Sequence, residues 1–278
     1  MPSRPDVRWR ELFQGGRPVI GMVHVLPLPG SPRYQGSMAA VQDAAAADAS
    51  VLAETGFDAL FYVNEGDAPF PSMAPQETVA ALAAVVAATC PKGIPHGVEV
   101  LFDPGASLSV AAATGASFIR GGVLGVWEGT SGVRSGDAAM LLRRRHALRL
   151  DHVGIFGVAQ AELAVPLSGM DLKRRLQLAV TERAVDVVLL GADPGQAAAS
   201  ELLEQVRVVV GEVPVLANSG VRADTVAEVL RAHDGCVVGS DLKCDGRLSN
   251  PVDRTRAEAL IAAARPARQH RRLREVTV

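Results

Sequence analysis

Short runs of valine, isoleucine and leucine alternate with longer alanine-rich stretches along the whole chain. The short runs have the length and composition of buried strands, and the longer stretches those of helices. Eight such units in 278 residues predict a single-domain (β/α)8 barrel, a TIM barrel of the α/β class. The predicted strands are residues 19–25, 59–63, 97–102, 117–120, 152–159, 185–190, 213–217 and 235–238.

The predicted helices lie near residues 38–54, 75–88, 106–114, 136–150, 172–184, 195–210, 223–232 and 251–264. A doubly wound open sheet is the alternative fold, but it usually carries an early G-x-G-x-x-G turn. The first strand leads instead into a proline-rich loop at 26–36, so the barrel is preferred. We expect the barrel domain to span residues 1–264 and a basic, solvated tail to span 265–278, with partner or anion binding as the alternative role of that tail.

Composition limits the classes of partner. The net charge of −2 gives no electrostatic reason to bind nucleic acid or an anionic membrane. Three cysteines without C-x-x-C spacing and the absence of a signal-like N-terminus or a membrane-length apolar run predict a cytoplasmic protein. We expect no cofactor and no metal, and we expect a homo-oligomer.

The last two predicted strands end in glycine and small polar residues. In (β/α)8 barrels the turns after strands seven and eight commonly hold a phosphate group, because backbone N–H groups approach it closely there. The sequence therefore predicts a phosphorylated small-molecule ligand. The expected phosphate- or substrate-binding residues are Asn218, Ser219, Gly220, Gly239, Ser240, Asp241 and Lys243.

Polar residues at other strand ends are candidates for catalysis, since active sites of this fold lie at the carboxyl ends of the strands. His24 ends the first strand, and imidazole suits proton transfer near neutral pH. Glu99 interrupts the third strand, where period-two alternation places it opposite Val98 and Val100 and inside the barrel. Arg120 ends the fourth strand and is expected to bind an anion or to form an ion pair with Glu99.

Five further residues at or near strand ends are candidates, of which Asn64 and Asp103 are expected to bind substrate. Asp67, with Asn64 nearby, is expected either to act in catalysis or to cap a loop. Asp103 is expected to share the inward face of Glu99, because the two residues are four positions apart on a predicted strand. Gln160 and Glu162 follow the fifth strand and share a face, Gln160 as a binding residue and Glu162 as a catalytic one.

Long motifs resemble the BtpA/SgcQ family. They are G-M-V-H-V-L-P-L-P-G-S-P-R-Y from residue 21, G-D-A-P-F from 66, A-S-F-I-R from 116, S-G-V from 219 and G-S-D-L-K-C-D-G from 239. The resemblance implies a phosphate-binding (β/α)8 barrel, with one branch linked to photosystem I assembly and another beside sugar-uptake genes. The positions that match the family pattern are His24, Asp67, Arg120, Gly220, Gly239, Ser240 and Lys243.

Other positions depart from the family pattern. The usual V-N-V-L-R-N-D after strand three is V-E-V-L-F-D from residue 98, and the usual A-D-V-H-V-K-H after strand five is G-V-A-Q-A-E-L from 157. Likewise, R-V-N after strand four is R-G-G here, and the turn after strand six has lost its T-G-x-x-T-G character. The residues expected to bind phosphate therefore match the family pattern, whereas the polar residues after strands three to six differ from it.

Three functions fit these observations. The first is an enzyme that performs acid–base chemistry on a phosphorylated sugar or nucleotide, as an isomerase, a lyase or an enzyme of glycosyl-bond cleavage or formation. The alternative is a non-catalytic ligand-binding or assembly protein related to the photosystem-linked branch. A third is metal-dependent hydrolysis through His24, Asp67 and Glu99.

Overall fold

The computed structural model describes residues 5–14, 16–122, 124–129, 131–160, 164–167, 169–191 and 198–274. The helices among these residues are α1 (Pro5–Phe13), α2 (Met38–Thr55), α3 (Gln76–Thr89), α4 (Pro104–Thr114), α5 (Ala138–Ala147), α6 (Leu172–Thr181), α7 (Ser200–Val210), α8 (Val226–Ala232) and α9 (Arg254–Arg274). The strands are β1 (Val19–His24), β2 (Ala59–Val63), β3 (His96–Glu99), β4 (Phe118–Gly121), β5 (Leu124–Gly129), β6 (Gly132–Asp137), β7 (Gly154–Val158), β8 (Ala164–Pro166), β9 (Val187–Leu190), β10 (Val215–Ala217) and β11 (Gly235–Val238).

Eight of the described strands form a closed parallel barrel in the order β1-β2-β3-β4-β7-β9-β10-β11. The predicted (β/α)8 fold is confirmed, and each of the eight predicted strands overlaps one strand of the barrel. The register aligns His24 with Val63 and Val63 with Glu99, so these strand ends lie at one rim. Since all strands are parallel, their carboxyl ends share that rim.

Local signals explain where the helices begin and end. Ser37 accepts a hydrogen bond from the Ala40 N–H and starts α2. Gly56 and Gly115 end α2 and α4 in the left-handed conformation, at φ 97° and 72°. These caps set the lengths of the helices around the barrel.

The barrel interior is packed beneath its carboxyl rim. Alternate strand residues point inward, and the rings of Phe118 and Phe156 stack with centroids 4.4 Å apart. Phe61 packs against Phe118 at 5.6 Å, and Trp9 of α1 lies 6.4 Å from Phe156. This apolar interior confines polar chemistry to the upper layer of side chains.

A three-stranded antiparallel sheet in the order β6-β5-β8 stands beside the barrel, and the sequence analysis did not predict it. We call it the side sheet. Strands β5 and β6 pair from Leu124 with Asp137 to Gly129 with Gly132, which places a hairpin between β4 and α5. The helix predicted from residue 136 therefore begins later, at Ala138, with Asp137 as its N-cap.

The last helix continues beyond the boundary predicted at residue 264. Within α9, Ala264 and Ala267 are buried, and Arg268 forms an ion pair with Asp58. The first half of the predicted tail is thus a continuation of the helix that packs on the barrel. No helix in the described part of the chain is long and apolar enough to span a membrane.

Candidate active site at the carboxyl end of the barrel

A cavity of about 450 Å³ opens at the carboxyl ends of the barrel strands. Its size and its mixture of apolar walls with a few polar groups are typical of a small-molecule site. Its polar lining comes from opposite sides of the barrel and from the side sheet. Predicted residues that line it are His24, Glu99, Arg120, Asn218, Ser219, Gly220, Gly239 and Ser240.

His24 is buried beside two cationic side chains. Burial, with the positive charges of Lys243 and Arg120, lowers the pKa of His24 to about 3. The imidazole is therefore neutral at physiological pH. Its Nδ1 atom is buried and has no hydrogen-bond partner among the described residues. A neutral imidazole in this position can hydrogen-bond to a ligand oxygen without adding charge.

Glu99 and Arg120 form an ion pair at the cavity floor. The Glu99 Oε2 and Arg120 Nη1 atoms are 3.4 Å apart, and both side chains are buried. The predicted inward direction of Glu99 is observed: Val98 and Val100 belong to the cluster between barrel and helices, whereas Glu99 lines the cavity. Arg120 thus compensates the buried charge while the carboxylate reaches the cavity.

The two glycine turns lie on the opposite arc of the barrel, after β10 and β11. Gly220 adopts φ 69°, a conformation that favours glycine. Its N–H and that of Val221 have no backbone partner among the described residues, and both residues line the cavity. A Cβ atom at Gly239 would lie 3.0 Å from His24 Cε1, so glycine there leaves room for the imidazole.

Asn64 and Asp67 form a closed set of hydrogen bonds at the rim. Asp67 accepts from the Leu28 N–H at 2.7 Å and from Asn64 Nδ2 at 2.9 Å, and Asn64 accepts from the Leu101 N–H at 2.7 Å. Burial raises the pKa of Asp67. These contacts join the loops after β1, β2 and β3. The contacts of Asp67 are those of a residue that caps a loop, which is one of the two roles expected for it.

Asp103 does not share a strand face with Glu99, contrary to expectation. Strand β3 ends at Glu99, and Phe102 turns the chain with φ 68°. Asp103 is the N-cap of α4, accepting from the Ala106 N–H at 2.8 Å, and it also accepts from the Ala74 N–H at 3.1 Å. Its polar atoms are used in joining the helix to the preceding loop.

Lys243 also lies outside the cavity, contrary to expectation. Its side chain is 1% exposed and its Nζ forms an ion pair with Asp48 of α2, which in turn accepts from the Val252 N–H. Asp241 accepts from the Ala223 N–H at 3.2 Å and faces Arg256. Both residues connect the last loops to the helices around them.

The remaining predicted residues follow β7. Gln160 is exposed and is not among the described residues that line the cavity. Glu162 lies outside the described residues. Among described side chains, no group of three His, Cys, Asp or Glu is arranged to hold a metal ion.

The side sheet supplies a cavity wall that the sequence analysis missed. Trp127 and Arg134 are cross-strand partners and both line the cavity, as do Phe70 and Phe102. The glycines at 129 and 132, flanked by alternating residues, are the signal that could have predicted this hairpin. This pattern does not predict the position of the hairpin relative to the barrel.

The fold and the site define a (β/α)8 barrel whose cavity, with a few polar groups in apolar walls, lies at the usual position of active sites in this fold. A model of the BtpA family matches residues 16–266, so the chain belongs to this family.

Three relatives extend the comparison. An uncharacterized protein of Thermococcus kodakarensis is 37% identical over 91% of this chain and 97% of its own. The sgc region protein SgcQ of Escherichia coli is 33% identical, covering 89% and 94%. The photosystem I biogenesis protein BtpA of Synechocystis is also 33% identical, covering 91% and 90%.

Solved structures share the fold at low identity. Tryptophan synthase of Mycobacterium tuberculosis gives a TM-score of 0.61 at 20% identity, covering 95% of this chain and 99% of that one. N-(5'-phosphoribosyl)anthranilate isomerase of Pyrococcus furiosus gives 0.51 at 14% identity, covering 90% and 99%. These likenesses show the barrel fold.

Proposed function

We propose that this protein is an enzyme that performs acid–base chemistry on a phosphorylated sugar or nucleotide. The observation that carries the proposal is the cavity itself, in which a carboxylate, a guanidinium and a neutral imidazole face two glycine turns. On a phosphorylated substrate, an isomerase, a lyase and an enzyme of glycosyl-bond chemistry each transfer a proton while the phosphate group of the substrate is bound. One barrel of the same fold is named as an isomerase of a phosphoribosyl compound, which supports this class.

In the proposed mechanism Glu99 is the group that takes and returns the proton. It reaches the cavity, and Arg120 at 3.4 Å supports its charge before the proton is taken. Because burial depresses the pKa of His24 to about 3, we assign His24 the role of hydrogen-bonding a substrate oxygen as charge develops on it. This role differs from the proton transfer that the sequence suggested for His24.

The phosphate of the substrate would bind at the turns that contain Gly220 and Gly239. The Gly220 and Val221 N–H groups, which have no backbone partner in the described part of the chain, would donate to phosphate oxygens. Ser240 and Ser219 lie at the same side of the cavity. We leave Lys243, Asp67 and Asp103 out of the proposed site, because their polar atoms are occupied by other protein groups.

A second candidate function is a non-catalytic role in assembly. It is favoured by the 33% identity to a relative named for photosystem I biogenesis. This alternative requires that ligands bind without being changed.

The test is proton exchange in heavy water. The protein is incubated with a panel of aldose phosphates, ketose phosphates and nucleoside monophosphates in D₂O, and the substrate protons are followed by NMR. For an isomerase or lyase we expect loss of one carbon-bound proton signal, and for glycosyl-bond chemistry a new anomeric signal. Glu99→Gln should bind the same ligand and give neither change.

Two results would contradict the proposal. If wild type binds members of the panel and changes none of them, the assembly role is favoured. If Glu99→Gln turns over at the wild-type rate, Glu99 is not the proton-transfer group. Arg143→Met, a change at an exposed arginine of α5, is the matched control and should behave as wild type.

A further inference from the structure

Arg134 places a guanidinium in the wall of the cavity. It is on β6, opposite Trp127 in the register of the hairpin, and the inward face of the side sheet carries both side chains. The Arg134 Cζ atom lies 3.4 Å from the centroid of the Phe102 ring. Stacking on the ring occupies one face of the guanidinium and leaves its in-plane N–H groups directed away from the ring.

Two of the nitrogen atoms that carry those N–H groups have no acceptor among the residues that the structure describes. The Nε and Nη2 atoms of Arg134 are buried, and no hydrogen-bond partner reaches either atom among the described residues. The described residues also supply no ion-pair partner to this side chain. Burial lowers the pKa of Arg134, which indicates that its charge is partly desolvated. A desolvated cation without an anion is unfavourable, and a ligand anion would relieve that cost.

The surroundings hold Arg134 in place. Trp127 lies under the guanidinium of Arg175 from α6, with 4.6 Å from the Arg175 Cζ to the ring centroid. The Leu167 N–H donates to the Val126 carbonyl at 2.8 Å, which joins β8 to β5. At the hairpin turn, the Ser131 hydroxyl donates to the Phe70 carbonyl. These contacts fix the strands and the hairpin turn next to Arg134, so the backbone that carries it is held in place.

The ring under Arg134 is itself fixed. Phe102 follows β3 with φ 68° and packs edge to face on Phe70, with centroids 5.4 Å apart. Strands β3 and β4, which precede Phe102 and the hairpin, lie opposite β10 and β11 in the barrel order. Arg134 and the two glycine turns therefore occupy opposite sides of one cavity.

We propose that Arg134 is a substrate-binding residue that takes a second anionic group, a carboxylate or a phosphate, at the end of the ligand remote from the glycine turns. The inference rests on the proposed function and narrows it to doubly anionic substrates, such as a sugar acid phosphate or a sugar bisphosphate. A guanidinium presents paired N–H donors that match two oxygens of either group. Phe102 and Trp127 position it.

The test is a soak of wild-type crystals in sodium selenate, a tetrahedral dianion that is located by its anomalous signal. We expect one selenate within hydrogen-bond distance of Arg134 and another at the turns of Gly220 and Gly239. Arg134→Met should lose the first peak and keep the second. Arg143→Met, with the same substitution at an exposed site, should keep both.

The outcomes separate the two proposals. A peak at the turns and none at Arg134 would overturn the second anion position and leave the phosphate site standing. A peak at Arg134 alone would support this inference and contradict the phosphate site. Absence of both peaks would overturn both. A peak that persists in Arg134→Met would assign that anion to other residues.

Discussion

Two groups of polar residues stand at the same rim of the barrel, and they differ in what their atoms contact. In the closed group, Asp67, Asp103 and Lys243 each have their polar atoms bonded to other parts of the protein. In the open group, His24 and Arg134 line the cavity, and each has buried polar atoms without a partner among the described residues. A strand-end position alone therefore does not define a functional residue in this fold.

The difference follows from where each side chain leaves the backbone. Glu99 is the last residue of β3 and points into the barrel, whereas Asp103 lies beyond a turn and faces the start of a helix. A residue inside the upper layer of the barrel has only cavity neighbours to bond with. A residue in a loop has backbone N–H groups nearby, which carboxylates readily cap.

The largest effect is expected in the closed group, at the buried ion pair. Asp48→Ala leaves Lys243 buried without its partner and removes the acceptor of the Val252 N–H. We expect it to lower the free energy of unfolding by about 3–5 kcal/mol, measured by urea denaturation. Glu54→Ala, which breaks an exposed ion pair with Arg254, is the control and should leave the free energy of unfolding almost unchanged, because solvent screens that pair. Equal losses in the two variants would contradict the distinction.

The next largest effect is the loss of stability that burial of His24 causes at acidic pH. The unfolded chain binds a proton at His24 near pH 6.5, whereas the native pKa is about 3. Between these values the unfolded state binds more protons, so the His24 contribution to stability falls as the pH falls, by at most about 1.4 kcal/mol per pH unit. In His24→Gln this contribution is absent. We expect its stability relative to wild type to improve steadily from pH 6.5 to 4, and a constant difference would contradict the buried neutral histidine.

A smaller loss of stability than that of Asp48→Ala is expected at Asp67. Asp67→Ala removes the acceptor of the Leu28 N–H and of Asn64 Nδ2. We expect a loss of about 2 kcal/mol in the free energy of unfolding, because two buried donors lose their partner. Ligand binding should be retained, since Asp67 does not line the cavity in the described structure. Loss of binding in a folded Asp67→Ala would move this residue into the open group.

The smallest effect on stability is expected at Glu99. The side chains of Glu99 and Arg120 are both buried, but they line a cavity that an anion can enter, and glutamine keeps the shape and one acceptor oxygen of glutamate. Glu99→Gln should therefore cost about 1 kcal/mol. Added phosphate should reduce this loss, because an anion in the cavity can replace the missing charge beside Arg120. Thermal unfolding with and without phosphate measures both quantities. A loss as large as that of Asp48→Ala would place Glu99 in the closed group.

The sequence was sufficient for the barrel because each strand is a short, mostly apolar run between helices. The same alternation predicted the inward direction of Glu99 and the positions of His24 and Arg120. It failed for Asp103, because the end of β3 is set by a left-handed turn at Phe102, a residue that rarely adopts this conformation. It failed for Lys243, because its partner Asp48 is 195 residues away along the chain.

Arg134 was missed for a related reason. The cavity wall that carries it comes from a hairpin inserted in a β–α connection, and the aromatic residues beneath it follow two other strands. Such a convergence depends on the three-dimensional path of three loops. No short motif encodes it.

The central claim is that residues lining the cavity, and not those of the closed group, bind the anionic end of the ligand. The most direct measurement is the rise in melting temperature caused by inorganic phosphate, relative to sodium chloride of equal ionic strength, in wild type, Gly239→Val and Asp67→Ala. At about ten times the dissociation constant we expect roughly 2–4 °C in wild type and in Asp67→Ala. We expect a smaller rise in Gly239→Val, whose side chain enters the space beside His24 and leaves only the anion position at Arg134 open. A rise that is undiminished in Gly239→Val but disappears in Asp67→Ala, or no rise in wild type, would contradict the claim.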